Sequence, residues 1–197
     1  MNIKIFGTKI TISFYFFAFF MLLVLVDKSG YFLPISVAVI IHEAGHLLTM
    51  RLLGTAPKEI VLVPASVRIV RDICAKPSYE AAVSVSGPLA NISFFAAFYV
   101  IYLFVPKNVF IDFAVINLLI GAFNLLPVNG LDGGVLLKKI CAVFLGETKA
   151  QIVVNVCALI LAVLLVFLGV KFIMGGRYNF TPILLSIYLL LSIFIKM

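Results

Sequence analysis

The two histidines of this chain, His42 and His46, are four residues apart, with Glu43 directly after the first. All three lie inside an apolar stretch from Tyr31 to Leu53. On a helix, positions i and i+4 share a face, so both imidazoles can reach one metal ion. This is the H-E-x-x-H zinc pattern set in what reads as a membrane-crossing helix. A carboxylate at bilayer depth costs about 2.5–3.5 kcal/mol on insertion scales, and ionisable groups placed there have a functional reason by default.

Two histidines do not complete such a site. Catalytic zinc takes three protein ligands and leaves a fourth position to water. No third histidine exists, so the remaining acids are Asp27, Glu59, Asp72, Glu80, Asp112, Asp132 and Glu147. Most of them lie in or beside charged connecting segments. Asp132 is different: it follows Asn124-Leu125-Leu126-Pro127 and is flanked by Gly130, Gly133 and Gly134. Pro127 breaks a helix, and the glycines permit close approach and unusual backbone angles. Irregular backbone at membrane depth persists only where it is buried in protein or lines a wet cavity. A carboxylate in that position suits a metal; the other reading is an aspartate capping the next helix.

The elements that must carry these groups follow from composition. The chain is 64% hydrophobic and only 12% charged, against about 25% charge in soluble domains. The apolar runs are continuous rather than alternating, which predicts helices and not a barrel. Six membrane spans are predicted over residues 10–26, 31–53, 79–105, 109–127, 152–174 and 181–195. The expected class is an all-α polytopic membrane protein, residues 1–197 forming a single domain. The first apolar run lacks a cleavage site and reads as a retained span. If the spans alternate, Lys28, Lys107, Lys171 and Arg177 fall on one side and the other eleven of the 15 Lys and Arg residues on the opposite side. That asymmetry puts both termini in the cytoplasm. His42 and His46 then fall in the inner half of the second span, level with the Pro127 interruption.

Between the second and third spans, Pro57, Pro64 and Pro77 exclude a helix. Ile60–Val63 and Val67–Arg71 are rich in β-branched residues and predict a small membrane-associated β-hairpin. Its edge is a candidate surface for an extended peptide. The net charge of +7 punctuates the gaps between spans and gives no reason to expect nucleic acid. Cys74, Cys141 and Cys157 form no C-x-x-C pair and read as small buried side chains.

These motifs carry a resemblance. His42-Glu43-x-x-His46, then Ser86-Gly87-Pro88-Leu89-Ala90-Asn91, then Asn124-x-x-Pro127 before Leu131-Asp132-Gly133, resemble in order the signatures of the site-2 protease family of intramembrane zinc metalloproteases. The likeness covers the second to fourth spans. It implies that His42, His46 and Asp132 hold one zinc ion and that Glu43 is the catalytic general base. It makes Asn91 and Asn124 candidates for aiding an oxyanion or positioning substrate. The implied partners are a membrane-associated protein substrate, the lipid bilayer and a regulatory membrane protein. Gly87-Pro88 reads as shaping helix packing, and Gly45 as allowing a neighbouring helix to approach.

Many relatives place a proline just before Leu-Asp-Gly, where this chain has Asn129-Gly130. No PDZ-like or CBS-like appendage is expected after the sixth span. Within the family, Leu131-Asp132-Gly133-Gly134-x-Leu136-Leu137 and the short hairpin are most similar to the branch containing stage IV sporulation protein FB. That branch implies a sigma-factor precursor as substrate and a bacterial cell or forespore membrane. Two other readings compete. One is an H-E-x-x-H membrane peptidase of the prenyl-protein or quality-control type, whose third ligand is a downstream glutamate, here Glu80 or Glu147. The other is a non-enzymatic metal-binding membrane protein, which gives Glu43 no task.

Overall fold

The computed structural model describes residues 2–5, 8–55, 57, 59–63, 66–70, 76–176 and 179–195. Pro64, Arg71, Asp72, Cys74 and Arg177 lie outside the described residues. The chain forms two compact units, residues 1–122 and 123–197.

The first unit begins with two strands, β1 (Asn2–Ile5) and β2 (Thr8–Ile12), followed by helix α1 (Phe14–Val26) and helix α2 (Phe32–Leu52). Asp27 organises the turn between the helices. Its Oδ1 accepts hydrogen bonds from the Ser29 amide at 2.9 Å and the Gly30 amide at 3.2 Å. Its Oδ2 accepts from the Phe32 amide at 3.0 Å, which satisfies one of the orphan donors that open α2. After α2 come β3 (Glu59–Val63) and β4 (Ser66–Val70), then α3 (Pro77–Phe104) and α4 (Asn108–Asn124). Pro77 opens α3 at its first turn, where a missing N–H costs nothing.

The four strands make one sheet in the order β1-β2-β3-β4. Its outer pairs are antiparallel, whereas β2 runs parallel to β3 with Lys9 opposite Glu59 and Ile12 opposite Leu62. A side-chain clasp marks this parallel seam. The Thr11 hydroxyl donates to Glu59 Oε1 at 2.6 Å, and Lys9 Nζ lies 3.1 Å from the same oxygen.

The second unit takes in the end of α4, a loop over residues 125–131, α5 (Asp132–Leu145), α6 (Glu147–Met174) and α7 (Thr181–Ile195). Its core joins Val128 and Leu131 of the loop to Ala158 and Ala162 of α6 and Leu189 of α7. Small side chains at Ala150, Val154, Ala158 and Ala162, each at most 1% exposed, give α6 a narrow face for close packing.

Among the described residues, three helices, Phe32–Leu52, Ser78–Phe104 and Glu147–Met174, are long and apolar enough to cross a membrane. Their outward faces stay apolar: Leu52 is 78%, Phe104 82% and Phe167 71% exposed. So much contiguous apolar surface is stable against lipid and not against water.

The six-span, all-α expectation is therefore corrected. There are seven helices and a four-stranded sheet among the described residues. The predicted span 10–26 begins inside strand β2, which leaves α1 only 13 residues. At about 1.5 Å per residue that helix falls short of a 30 Å hydrocarbon core. The predicted spans 109–127 and 181–195 correspond to shorter apolar helices. The strand pair expected as a separate hairpin is instead half of a larger sheet, because β2 supplies β3 with a second partner. Helix α5 was not foreseen.

Candidate metal centre

Helix α2 presents His42 and His46 one turn apart on its buried side, at 6% and 7% exposure. It crosses α3 at a pair of glycines. A β-carbon on Gly45 would stand 2.6 Å from the Ser86 carbonyl oxygen and 3.1 Å from Gly87 Cα. Only a residue without Cβ lets the helices approach this closely, as expected for Gly45. Gly87 in turn faces both imidazoles.

The crossing brings α3 acceptors to both rings. His46 Nδ1 lies 2.7 Å from the Val83 carbonyl oxygen, and His42 Nδ1 lies 2.7 Å from Asn91 Oδ1. A carbonyl only accepts, so His46 carries its proton on Nδ1. The orientation of Asn91 is fixed the same way. Its Nδ2 donates to the Ala38 carbonyl at 2.9 Å, which turns its oxygen to His42 and places that proton on Nδ1 as well. Both Nε2 atoms are then lone-pair acceptors. They converge to 3.1 Å, with the rings nearly perpendicular at 88°.

Two lone pairs facing each other at this distance are favourable around a shared cation. Two nitrogens about 2.0–2.1 Å from one tetrahedral zinc would be roughly 3.3 Å apart. The observed spacing fits that donor set.

Asn91 is fully buried, and both its N–H groups are spent, on Ala38 and on Asn117 Oδ1 at 2.9 Å. None is left for an oxyanion, so its geometry is that of a group orienting His42. Glu43 is half-buried on the same helix, beside the pair.

In the second unit, Asn124 is the last residue of α4 and half-buried. Asp132 is the first residue of α5, with Leu131 at the cap position. The loop before it is held tightly. β-carbons on Gly133 and Gly134 would lie 2.0 Å from the Leu125 and Val128 carbonyl oxygens. Gly130 adopts φ +92°, which proline cannot reach. Side-chain amides hold the loop instead. Asn129 donates to Asn155 Oδ1 at 2.8 Å and accepts from Gln151 at 2.8 Å. Glu147, the rival ligand, lies 3.7 Å from Lys138 and 3.4 Å from Lys139, at the surface.

The sequence reading passed over three contributors: the Val83 carbonyl, Gly87 as a wall of the histidine pocket, and Asn117. The first is backbone and leaves no residue signal. The last was visible as an amide in the middle of an apolar helix.

A histidine-pair metal site on a helix crossing is the class that this geometry defines. Residues 106–168 match peptidase family M50. That match takes in Asn117, Asn124 and Asp132. The chain is 26% identical over 142 residues to a zinc metalloprotease of Methanocaldococcus jannaschii, covering 69% of this chain and 42% of the relative. It thus spans about two-fifths of the length of that relative. A solved structure, the site-2 protease from the same organism, superposes with a TM-score of 0.67 at 23% identity, covering 98% of this chain and 93% of the other. That likeness establishes the fold. The family match over residues 106–168 points to peptidase family M50, and the solved structure bears on the fold alone.

Proposed function

We propose that this chain is an intramembrane zinc metalloprotease that cuts membrane-associated protein substrates near the cytoplasmic face. The observation that carries the reading is the pair of Nε2 lone pairs converging at 3.1 Å, each ring fixed by an acceptor at Nδ1. The proposed donor set is His42, His46 and Asp132, two imidazoles and a carboxylate, which is a chemistry suited to zinc. When bound, zinc polarises the scissile carbonyl and acidifies water.

The chain's own residues do the rest. Glu43 takes the proton of the attacking water and passes it to the leaving amine. The Val83 carbonyl and Asn91 keep both imidazoles in the tautomer that offers Nε2. Asn124 is the remaining candidate for positioning substrate. The Leu131–Leu137 pattern supports the sporulation branch, with a sigma-factor precursor as substrate and a membrane protein as regulator.

The test is one set of variants in detergent or vesicles. Glu43→Gln keeps about one zinc per chain and loses cleavage of a co-expressed single-span or precursor substrate. Asp132→Ala loses zinc. Undiminished cleavage by Glu43→Gln overturns the protease reading, and undiminished zinc in Asp132→Ala overturns the ligand set.

A further inference from the structure

Behind His42 runs a chain of side-chain amides that ends on a residue no motif contains. Asn91 Oδ1 takes the His42 Nδ1 proton at 2.7 Å, and Asn91 Nδ2 donates to Asn117 Oδ1 at 2.9 Å. Asn117 Nδ2 in turn donates to the Phe113 carbonyl of its own helix, one turn back, at 2.8 Å. Asn91 and Asn117 are both 0% exposed. Every link has a direction. The Phe113 carbonyl only accepts, so it fixes which end of Asn117 carries nitrogen. The oxygen of Asn117 therefore faces Asn91 and takes one of its two N–H groups, while Ala38 takes the other.

We infer that Asn117 is a positioning residue for the metal centre: through Asn91 it holds His42 in the Nδ1–H tautomer and strengthens Nε2 as a ligand. The inference rests on the proposed metal reading for its purpose and on the hydrogen-bond chain for its geometry. The physical basis is polarisation. In a dry site an amide that donates with both N–H groups becomes a better acceptor at its oxygen, and linked hydrogen bonds reinforce one another. A stronger acceptor at Nδ1 raises the basicity of the opposite ring nitrogen. Without Asn117 one N–H of Asn91 is buried with no acceptor, and the amide gains by turning or tilting away from His42.

The experiment exploits the presence of just two histidines in the chain. Selective 15N-histidine labelling of the full-length protein gives two imidazole signal sets, whose nitrogen shifts report the tautomer of each ring. In the parent, both rings appear as Nδ1–H. With both proteins stripped of zinc for the tautomer measurement, His42 of Asn117→Leu moves to a mixture of tautomers and His46 stays as it was, and zinc affinity falls about 10- to 100-fold. Asn117→Asp, whose neutral carboxyl offers a hydroxyl to Phe113 and an oxygen to Asn91, restores the His42 signal. Unchanged His42 shifts in Asn117→Leu overturn the inference. So do equal shifts of both rings, because His46 is anchored on Val83 and a general packing defect would move both. A parent protein that binds no zinc overturns the metal reading alone, and the His42 tautomer still decides the relay.

Discussion

A β-carbon on Gly87 would stand 2.4 Å from His46 Nε2 and 2.9 Å from His42 Cε1. The wall of the histidine pocket is therefore bare backbone, and adding one methyl group there pushes against the imidazole rings themselves. Gly87→Ala is expected to lower zinc affinity at least 10-fold while leaving helix content unchanged, because the strain falls on the imidazoles. Zinc content after purification, read beside far-ultraviolet circular dichroism, checks this. Full zinc occupancy in the variant would show that the rings move aside at no cost.

Removing the metal should reveal how far binding is linked to folding. A ligand held only by the folded state stabilises it by about 2.7 kcal/mol at a free concentration of 100 times its Kd. Chelation is expected to lower the thermal midpoint, and adding zinc back to restore it. The Asp132→Ala variant should show no such response. A midpoint indifferent to chelator in the parent would count against a zinc-linked fold.

Side-chain amides hold the loop before Asp132. Asn155→Leu removes the acceptor of both Asn129 and Gln151. Loss of a buried partner costs about 1–3 kcal/mol, so faster amide exchange over residues 125–131 is expected. Gly130→Pro should be more damaging, since φ +92° is closed to proline. Parent-like exchange in both variants would mean that the loop is held by its apolar contacts alone.

Acid should loosen the parallel seam of the sheet. The Thr11 hydroxyl, and then Lys9, hold the Glu59 carboxyl below its ordinary value of 4.5. A carboxylate with a lowered folded-state pKa contributes stability that is fully present above its unfolded-state value. That contribution is lost as pH falls through the folded-state value. Amide protection over residues 59–63 should therefore decline below about pH 4.5, and Glu59→Gln should flatten the dependence. An identical pH profile in the variant would place the effect elsewhere.

The histidine pair was easier to read from the sequence than the elements around it. His42 and His46 are legible because a helix repeats its face every turn, and Gly45 because small residues mark close crossings. The strand Thr8–Ile12 was hidden by running straight into the apolar α1. Its pairing with Glu59–Val63 joins segments separated by two helices, a relationship that local periodicity does not record. Helix α5 was missed because glycines at its start and lysines within it look like a connector. Asn91 was noticed by its motif, but its partners could not be: which acceptor meets which proton is set by the helix crossing.

The parallel pairing of β2 with β3 also constrains how the molecule can be handled. Trimming the first dozen residues deletes two of the four strands and bares the backbone of Glu59–Val63 along one side. An affinity handle fused at that end would have to tolerate a neighbouring β-ladder, whereas one placed after α7 adjoins a helix terminus.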